Sequence, residues 1–210
     1  ESDDFVQYFK RIDDVNVLKC NNCGLGFVDK YPKDLSILYQ EEYFQKHNPK
    51  IKLGYQNYDN YTYEFFLWAM AFVNVAQKKD SVLDVGSANG LFLNLIACQG
   101  YKTLHGIELN HEYAKQSRNG VLKIFEDSLL DIDFGEQKYD LITAWEVLEH
   151  IPEINEVVKK TYDTLEASGS TYFLTPCLPE NSAYFEHMFG TSLEHIYYFS
   201  EKSLKILYKK

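Results

Sequence analysis

The chain has 210 residues, of which 45% are hydrophobic and 25% charged, and its formal net charge at pH 7 is −10. This length suits one α/β domain with an appendage, and the excess of acidic residues disfavours nucleic-acid partners, whose phosphates recruit basic faces. No apolar run approaches the roughly 20 residues that cross a bilayer, and no signal-peptide pattern opens the chain. We therefore expect no membrane partner. Four cysteines are too few for a disulfide scaffold, so we expect a cytoplasmic protein.

The first segment, residues 1 to about 50, is polar and irregular in its pattern. It contains a closely spaced thiol pair, Cys20 and Cys23, in the stretch C-N-N-C. A structural zinc site usually takes four ligands from two such pairs, so this pair alone does not complete one. We therefore expect no bound metal, and we treat residues 1–50 as a lead-in to a main domain over residues 51–210.

The main domain begins with a helical pattern and continues with alternating strands and helices. Residues 61–78 predict a substantially buried helix, because apolar residues cover most of its faces. From Ser81 onward, strand and helix patterns alternate, which predicts a parallel, doubly wound sheet with right-handed crossovers. The fold class is therefore α/β. Strands are predicted at SVLDV, KTLHGIE, VLKIF, YDLITAW and STYFLT, and helices at LFLNLIACQ, HEYAKQSR and INEVVKKTYDTL.

A small-residue loop follows the first of these strands. Asp84 stands near the end of the strand, and Gly86, Ala88 and Gly90 follow at alternate positions. Glycines let the backbone approach a ligand, and a helix N-terminus presents unpaired N–H groups. The spacing differs from the G-x-G-x-x-G of dinucleotide enzymes. The Asp84 carboxylate would repel a pyrophosphate but suits a cationic sulfonium–amino-acid ligand, so electrostatics favours S-adenosylmethionine over NAD.

Polar residues also follow the next two predicted strands. Glu108 ends the second strand, eighteen residues after Gly90, at the position where an acid hydrogen-bonds the ribose of a nucleoside. Asp127 and Ser128 follow the third strand, where polar groups can read an adenine amine. The pattern predicts a nucleoside-bearing cofactor at the carboxyl ends of the strands.

The stretches VLDVGSANG, GIELN, EDS, YDLITAWEVLEHI and LEASGSTYFLTP resemble the successive motifs of class I S-adenosylmethionine-dependent methyltransferases. The closest resemblance is to the branch related to ubiquinone-biosynthesis methyltransferases, and it runs from about residue 80 to 176. That fold normally adds two further strands, which we expect to be lacking here. Trp145 and Glu146 are implied to face the methionine sulfur and the substrate mouth, while Tyr55 either closes over the cofactor or covers the sheet. The cofactor site implied by the resemblance is Asp84, Gly86, Ser87, Ala88, Gly90, Glu108, Leu109, Asp127, Ser128, Trp145, Glu146 and Tyr55.

The flanking segments resemble methyltransferases that act on sugars and other small metabolites. The stretch around Cys20 and Cys23 is similar to their zinc-ribbon-like lead-in, here degenerate or truncated. In nucleotide-sugar C-methyltransferases of this kind a Glu-His pair contributes acid–base chemistry, which implies catalytic roles for Glu194 and His195. His150 is expected to be structural. The resemblance implies methyl transfer to an oxygen or carbon of a small polar metabolite such as a sugar or nucleotide-sugar, with S-adenosylhomocysteine as the product, and it leaves a homodimer open.

Two other functions remain compatible with the sequence. A non-catalytic cofactor-binding module or partner subunit stays open because the second cysteine pair is missing and Ser192 replaces the tyrosine expected in the catalytic motif. The intact set of Asp84, Glu108 and Asp127 argues against this alternative. An NAD-dependent oxidoreductase is disfavoured by the glycine spacing and by Asp84. Cofactor preference separates the oxidoreductase from the methyltransferase.

Overall fold

The computed structural model describes residues 4–32, 80–117, 122–189 and 193–209, together with the helical residues 62, 63, 66, 67, 69 and 71. The chain divides into two compact units. The sheet unit comprises Asn57–Val147 and Glu153–Leu174, and the terminal unit comprises Glu1–Gln56, Leu148–Pro152 and Thr175–Lys210. In chain order the elements are β1 (Phe5–Lys10), β2 (Asn16–Cys20), β3 (Gly26–Val28), β4 (Ser81–Val85), α1 (Leu91–Ala97), β5 (Thr103–Ile107), α2 (His111–Gln116), β6 (Lys123–Phe125), β7 (Tyr139–Trp145), a 3₁₀ turn (Leu148–His150), α3 (Ile154–Thr164), β8 (Leu165–Leu174), α4 (Ser182–Phe189), β9 (Tyr197–Tyr198) and α5 (Glu201–Leu207).

The sheet unit contains five parallel strands in the order β6-β5-β4-β7-β8. Every residue of β4 is buried, as expected for a central strand covered on both faces. Starting from β4, the chain adds β5 and β6 on one side of this strand and then adds β7 and β8 on the other side. This is the strand order of a doubly wound α/β sheet. The predicted α/β fold class and the five parallel strands are confirmed.

The core of the sheet unit lies between the sheet and α1. Leu93 and Ile96 of α1 are fully buried and pack with Val82, Leu104 and Leu141 from three neighbouring strands. Full burial of such side chains contributes about 1.5–3 kcal/mol each, which fixes α1, and with it the loop that leads into α1. The described residues of the predicted helix over 61–78 are helical.

The terminal unit contains an antiparallel sheet in the order β1-β2-β3-β9. Its core joins Val17 and Val28 of the sheet with Phe185 of α4 and with Ile196 and Tyr198. The prediction that the first segment is irregular was wrong for residues 5–28, because three of the four strands lie there. The predicted domain boundary near residue 50 falls in residues 33–61, outside the described part of the chain, and stays a prediction.

None of the helices in the described ranges has both the length and the apolar character needed to cross a membrane.

Candidate functional site

The small-residue loop leaves the carboxyl end of β4, the central strand, between β5 and β7. In open α/β sheets, ligands bind at the carboxyl ends of the strands, at the place where the strand order changes from one side of the first strand to the other. The loop turns at once, since the N–H groups of Gly86 and Ser87 both donate to the carbonyl of Ile107, at 2.9 Å each. β5 therefore holds the first residues of the loop in place.

The glycines of the loop are required by its backbone and its packing. Gly86 and Gly90 have φ angles of 72° and 74°, in the left-handed region that favours glycine. A Cβ atom on Gly86 would lie 2.5 Å from Cγ2 of Val147, and one on Gly90 would lie 2.7 Å from Cδ1 of Leu122. Ala88 is also left-handed, with a φ of 46°. Close packing thus restricts the loop conformation in addition to its hydrogen bonds with β5.

Asp84 places a buried carboxyl group at the start of this loop. Its side chain is 1% exposed, and the Thr143 hydroxyl donates to its Oδ1 at 2.6 Å. Burial raises the pKa of Asp84 to about 7; the hydrogen bond from Thr143 opposes this shift, and the charge of Glu108 adds to it. A cation beside Asp84 would favour the ionised form, so the carboxyl is suited to bind a positively charged ligand.

Glu108 connects the loop to the end of β5. Its Oε2 accepts from the N–H of Ala88 at 2.8 Å, and its Oε1 accepts from the N–H of Asn110 at 2.7 Å. Burial raises the pKa of Glu108, while these backbone hydrogen bonds lower it. A carboxylate has about four lone-pair sites, and the N–H groups of Ala88, Leu109 and Asn110 use three of them, so Glu108 can still accept from a ribose hydroxyl. The Ser87 hydroxyl is buried against Gly106 of β5 and has no hydrogen-bond partner among the described residues.

Three further predicted cofactor residues follow β5 and β6 at the same edge of the sheet. Leu109 is 67% exposed, although it is apolar. Asp127 is exposed, and Ser128 is half-buried with its hydroxyl accepting from the N–H of Leu130 at 3.3 Å. Because β5 and β6 run parallel to β4, their carboxyl ends share its edge, and the structure brings these residues to the same side of the sheet as Asp84.

The remaining predicted cofactor residues have different surroundings. Trp145 ends β7, and its ring packs edge-on against Phe92 and Phe66, with centroids 4.9 and 6.4 Å away. The half-buried indole therefore contributes to the core, and its predicted contact with the cofactor stays a prediction. Glu146 is exposed and has a φ of 56°, a conformation uncommon for glutamate. Tyr55 lies outside the described residues.

The predicted catalytic pair lies in the terminal unit. Glu194 and His195 are 7% and 8% exposed, and the Arg11 guanidinium donates to the carbonyl of His195 at 2.8 Å. Burial raises the pKa of Glu194 to about 7. Burial also lowers the pKa of His195 well below its usual value, helped by the charges of His150 and Arg11. The imidazole of His195 is therefore neutral near pH 7.

The structure also brings together side chains that the sequence did not connect. Glu149 and His150 come together with His195, and one ligand atom from each residue lies within 4.8 Å of the others. The sequence contains three Glu-His pairs, at 149–150, 186–187 and 194–195, and no pattern indicates which of them meet. Thr143, the partner of Asp84, lies 59 residues away in the chain, and nothing in its own strand distinguishes it.

Comparison with known proteins agrees with this geometry. A family model described as a methyltransferase domain matches residues 55–210. The ubiquinone biosynthesis O-methyltransferase of Pseudomonas savastanoi pv. phaseolicola is 29% identical over 116 residues, which cover 51% of this chain and 48% of that protein. The chain thus spans about half the length of the curated relatives it matches.

Solved structures share the fold at low sequence identity. A chain in the complex between the Haloferax volcanii Trm112 methyltransferase activator and a methyltransferase superposes with a TM-score of 0.60 at 15% identity, covering 72% of this chain and 70% of that chain. The plantazolicin methyltransferase BpumL, solved with a desmethylPZN analog and SAH, gives a TM-score of 0.60 at 17% identity, covering 83% of this chain and 74% of that one. These likenesses support the α/β architecture with its parallel central sheet.

Proposed function

Since this chain belongs to the family of methyltransferase domains, we propose that it transfers the methyl group of S-adenosylmethionine to an oxygen atom of a small polar metabolite. Its cofactor is S-adenosylmethionine, which leaves as S-adenosylhomocysteine. The observation that carries the proposal is the buried Asp84 carboxyl at the end of the central strand, next to a loop held in a left-handed backbone conformation. A sulfonium with an amino-acid tail is cationic, and the pyrophosphate of a dinucleotide is not.

We assign the parts of the cofactor to three groups of residues. Asp84 and the loop would hold the methionine portion. Glu108 would bind a ribose hydroxyl through the remaining lone pair of its carboxylate. The full proposed set is Asp84, Gly86, Ser87, Ala88 and Gly90 for methionine, Glu108 for ribose, Leu109, Asp127 and Ser128 for adenine, and Tyr55, Trp145 and Glu146 toward the sulfur and the acceptor.

The acceptor we propose is a sugar or nucleotide-sugar hydroxyl, with carbon methylation as the runner-up. The ubiquinone relatives are named O-methyltransferases, and the lead-in resembles that of sugar-modifying enzymes. In the reaction, an oxygen lone pair forms the new bond to the methyl carbon while the carbon–sulfur bond breaks and its electrons pass to sulfur. The oxygen gives up its proton to a base, and His195, supported by Glu194, is the candidate.

Calorimetric titration with S-adenosylhomocysteine tests the cofactor assignment, with NAD titrated in parallel. We expect S-adenosylhomocysteine to bind and NAD not to bind. Titrated with S-adenosylmethionine, which carries the sulfonium charge, Asp84→Asn should bind at least about tenfold more weakly through loss of the carboxylate. Asp80→Asn is the matched control, because Asp80 is an exposed acid just before the same strand. Binding of NAD, or equal losses in the two variants, would contradict the assignment.

Turnover separates an enzyme from a binding module. Release of S-adenosylhomocysteine is measured with S-adenosylmethionine and a panel of nucleotide-sugars, free sugars and phenols. Product formed with a hydroxyl acceptor supports the proposal. Cofactor binding without turnover on any acceptor favours the non-catalytic module.

A further inference from the structure

We propose that Glu149, His150 and His195 form a binding site for a divalent transition-metal cation such as zinc. Each residue offers one ligand atom, and the three atoms lie within 4.8 Å of one another. All three residues belong to the terminal unit, which brings the 3₁₀ turn after β7 next to the segment before β9. Neither the family match nor the named relatives assign a metal to these residues.

The histidine of the 3₁₀ turn is oriented as a metal ligand. The Nδ1–H of His150 donates to the carbonyl of Glu194 at 3.1 Å. This bond fixes the tautomer and leaves the lone pair on Nε2, which lies 3.8 Å from Oε1 of Glu149. A backbone carbonyl that holds the far nitrogen of a histidine is the usual support for a metal-bound imidazole.

The carboxylate is oriented in the same way. The Thr175 hydroxyl donates to Oε2 of Glu149 at 2.9 Å, so Oε1 is the oxygen turned toward His150. The Glu149 side chain is fully buried, where a carboxylate is costly unless charge compensates it. A divalent cation supplies that compensation directly.

The second imidazole completes the set. The ring of His195 meets the ring of His150 edge-on, with centroids 4.9 Å apart. The nearby positive charge of Arg11 is paired with Asp13, 2.6 Å away. Ligand atoms bound to one zinc ion at 2.0–2.2 Å lie about 3.4 Å apart, so no pair has to close by more than about 1.4 Å on the ion.

The donor set selects the class of cation. Two imidazoles and one carboxylate suit zinc, cobalt, manganese or ferrous ions, whereas magnesium and calcium prefer oxygen ligands throughout. Three protein ligands leave a coordination position open, as in catalytic rather than structural zinc sites. With the ion bound, the metal would hold the lone pair of His195, so metal binding would compete with the proposed role of His195 as a base; this extension rests on the proposed function.

Metal titration of the chelator-treated protein tests the site without cofactor or acceptor, so its outcome is independent of methyl transfer. We expect one Zn²⁺ per chain by calorimetry, and Co²⁺ should give visible d–d bands without a thiolate charge-transfer band. His150→Ala and Glu149→Gln should each lower the affinity at least about tenfold, since each removes a direct ligand. His111→Ala, which removes an exposed imidazole, should leave the affinity unchanged.

Two further variants keep the test decisive. Thr175→Val retains every ligand and loses only the hydroxyl that orients Glu149, so a several-fold loss of affinity supports the site even if a ligand variant fails to fold. Cys20→Ser/Cys23→Ser removes the competing thiol pair and should leave binding intact. Absence of binding, or binding that persists without His150 and disappears without the thiols, overturns the proposal.

Discussion

Asp84 shows how one residue prepares the protein for a cationic cofactor. Burial and the neighbouring negative charge of Glu108 raise its pKa to about 7, so part of this carboxyl group is protonated at neutral pH in the free protein. A sulfonium–amino-acid ligand binds the ionised form preferentially. Cofactor binding and proton release at Asp84 are therefore coupled.

We expect the affinity for S-adenosylmethionine to rise with pH between about 5.5 and 7. Below the raised pKa, the cation must displace a proton from Asp84, which costs up to tenfold in affinity per pH unit; above that pKa the dependence levels off. Calorimetry at several pH values, in buffers of different ionisation enthalpy, measures both the affinity and the released proton. In Asp84→Asn both effects should disappear, and a pH dependence that survives this substitution would assign the proton to another group.

At the scale of elements, the connection from β4 to α1 depends on a backbone shape that only glycine adopts without strain. Gly86 combines a positive φ with the close approach of Val147. Gly100 also has a positive φ, 89°, but a Cβ atom added there would meet no atom of the described residues within 4 Å. A comparison of substitutions at Gly86 and Gly100 therefore separates the cost of backbone strain from the cost of crowding.

Gly86→Ala should destabilise the protein by more than Gly100→Ala. The second substitution should cost about 1–2 kcal/mol for the left-handed backbone, and the first should add about 1–3 kcal/mol for the clash with Val147. Chemical denaturation of the two variants measures both costs. The double variant Gly86→Ala/Val147→Ala should lose less stability than the sum of the losses in the two single variants, because the smaller side chain removes the clash. If the losses are strictly additive, crowding is not the cause.

The N-terminus of α5 is stabilised by a capping box. The Ser200 hydroxyl accepts from the N–H of Ser203 at 3.0 Å and donates to the carbonyl of Cys23 at 2.6 Å. Ser200→Ala should lower the free energy of unfolding by about 1–2 kcal/mol, because it removes both bonds. Thermal denaturation measures the loss, and Ser200→Thr, which keeps the hydroxyl, should retain most of the stability. Equal losses in the two variants would argue against the capping bond.

At the scale of the whole molecule, each compact unit has its own hydrophobic core and its own candidate ligand. We expect hydrogen exchange to slow at residues 84–90 and 106–110 with S-adenosylhomocysteine, and at residues 148–152 and 193–199 with Zn²⁺. Bound ligands suppress the local opening that exposes amides. Mass spectrometry of the exchanged peptides gives both maps from one preparation. Protection by Zn²⁺ centred on Cys20 and Cys23 instead would contradict the metal assignment.

The sequence predicts the sheet unit well because its signals are local. Each strand and helix of that unit shows its own periodicity, and the loop after β4 carries its acid and its glycines within seven residues. The terminal unit is harder to predict from the sequence, because β3 pairs with a two-residue strand that lies far away in the chain. The same limit applies to the site: Asp84 is recognisable alone, whereas the meeting of Glu149 with His195 depends on chain reversal that no local pattern encodes.

The pairing of β3 with β9 has a consequence for how the protein is made. Gly26 lies opposite Tyr198, and Arg11 donates to the carbonyl of His195, so strands that leave the ribosome early are completed by residues translated much later. Since synthesis proceeds at about 5–20 residues per second, the edge of β3 remains unpaired for on the order of ten seconds or longer before β9 is made. During this interval the nascent chain carries an unpaired strand edge, the feature through which chains associate wrongly. Vectorial synthesis therefore exposes the terminal unit, rather than the sheet unit, to the greater risk of misassembly.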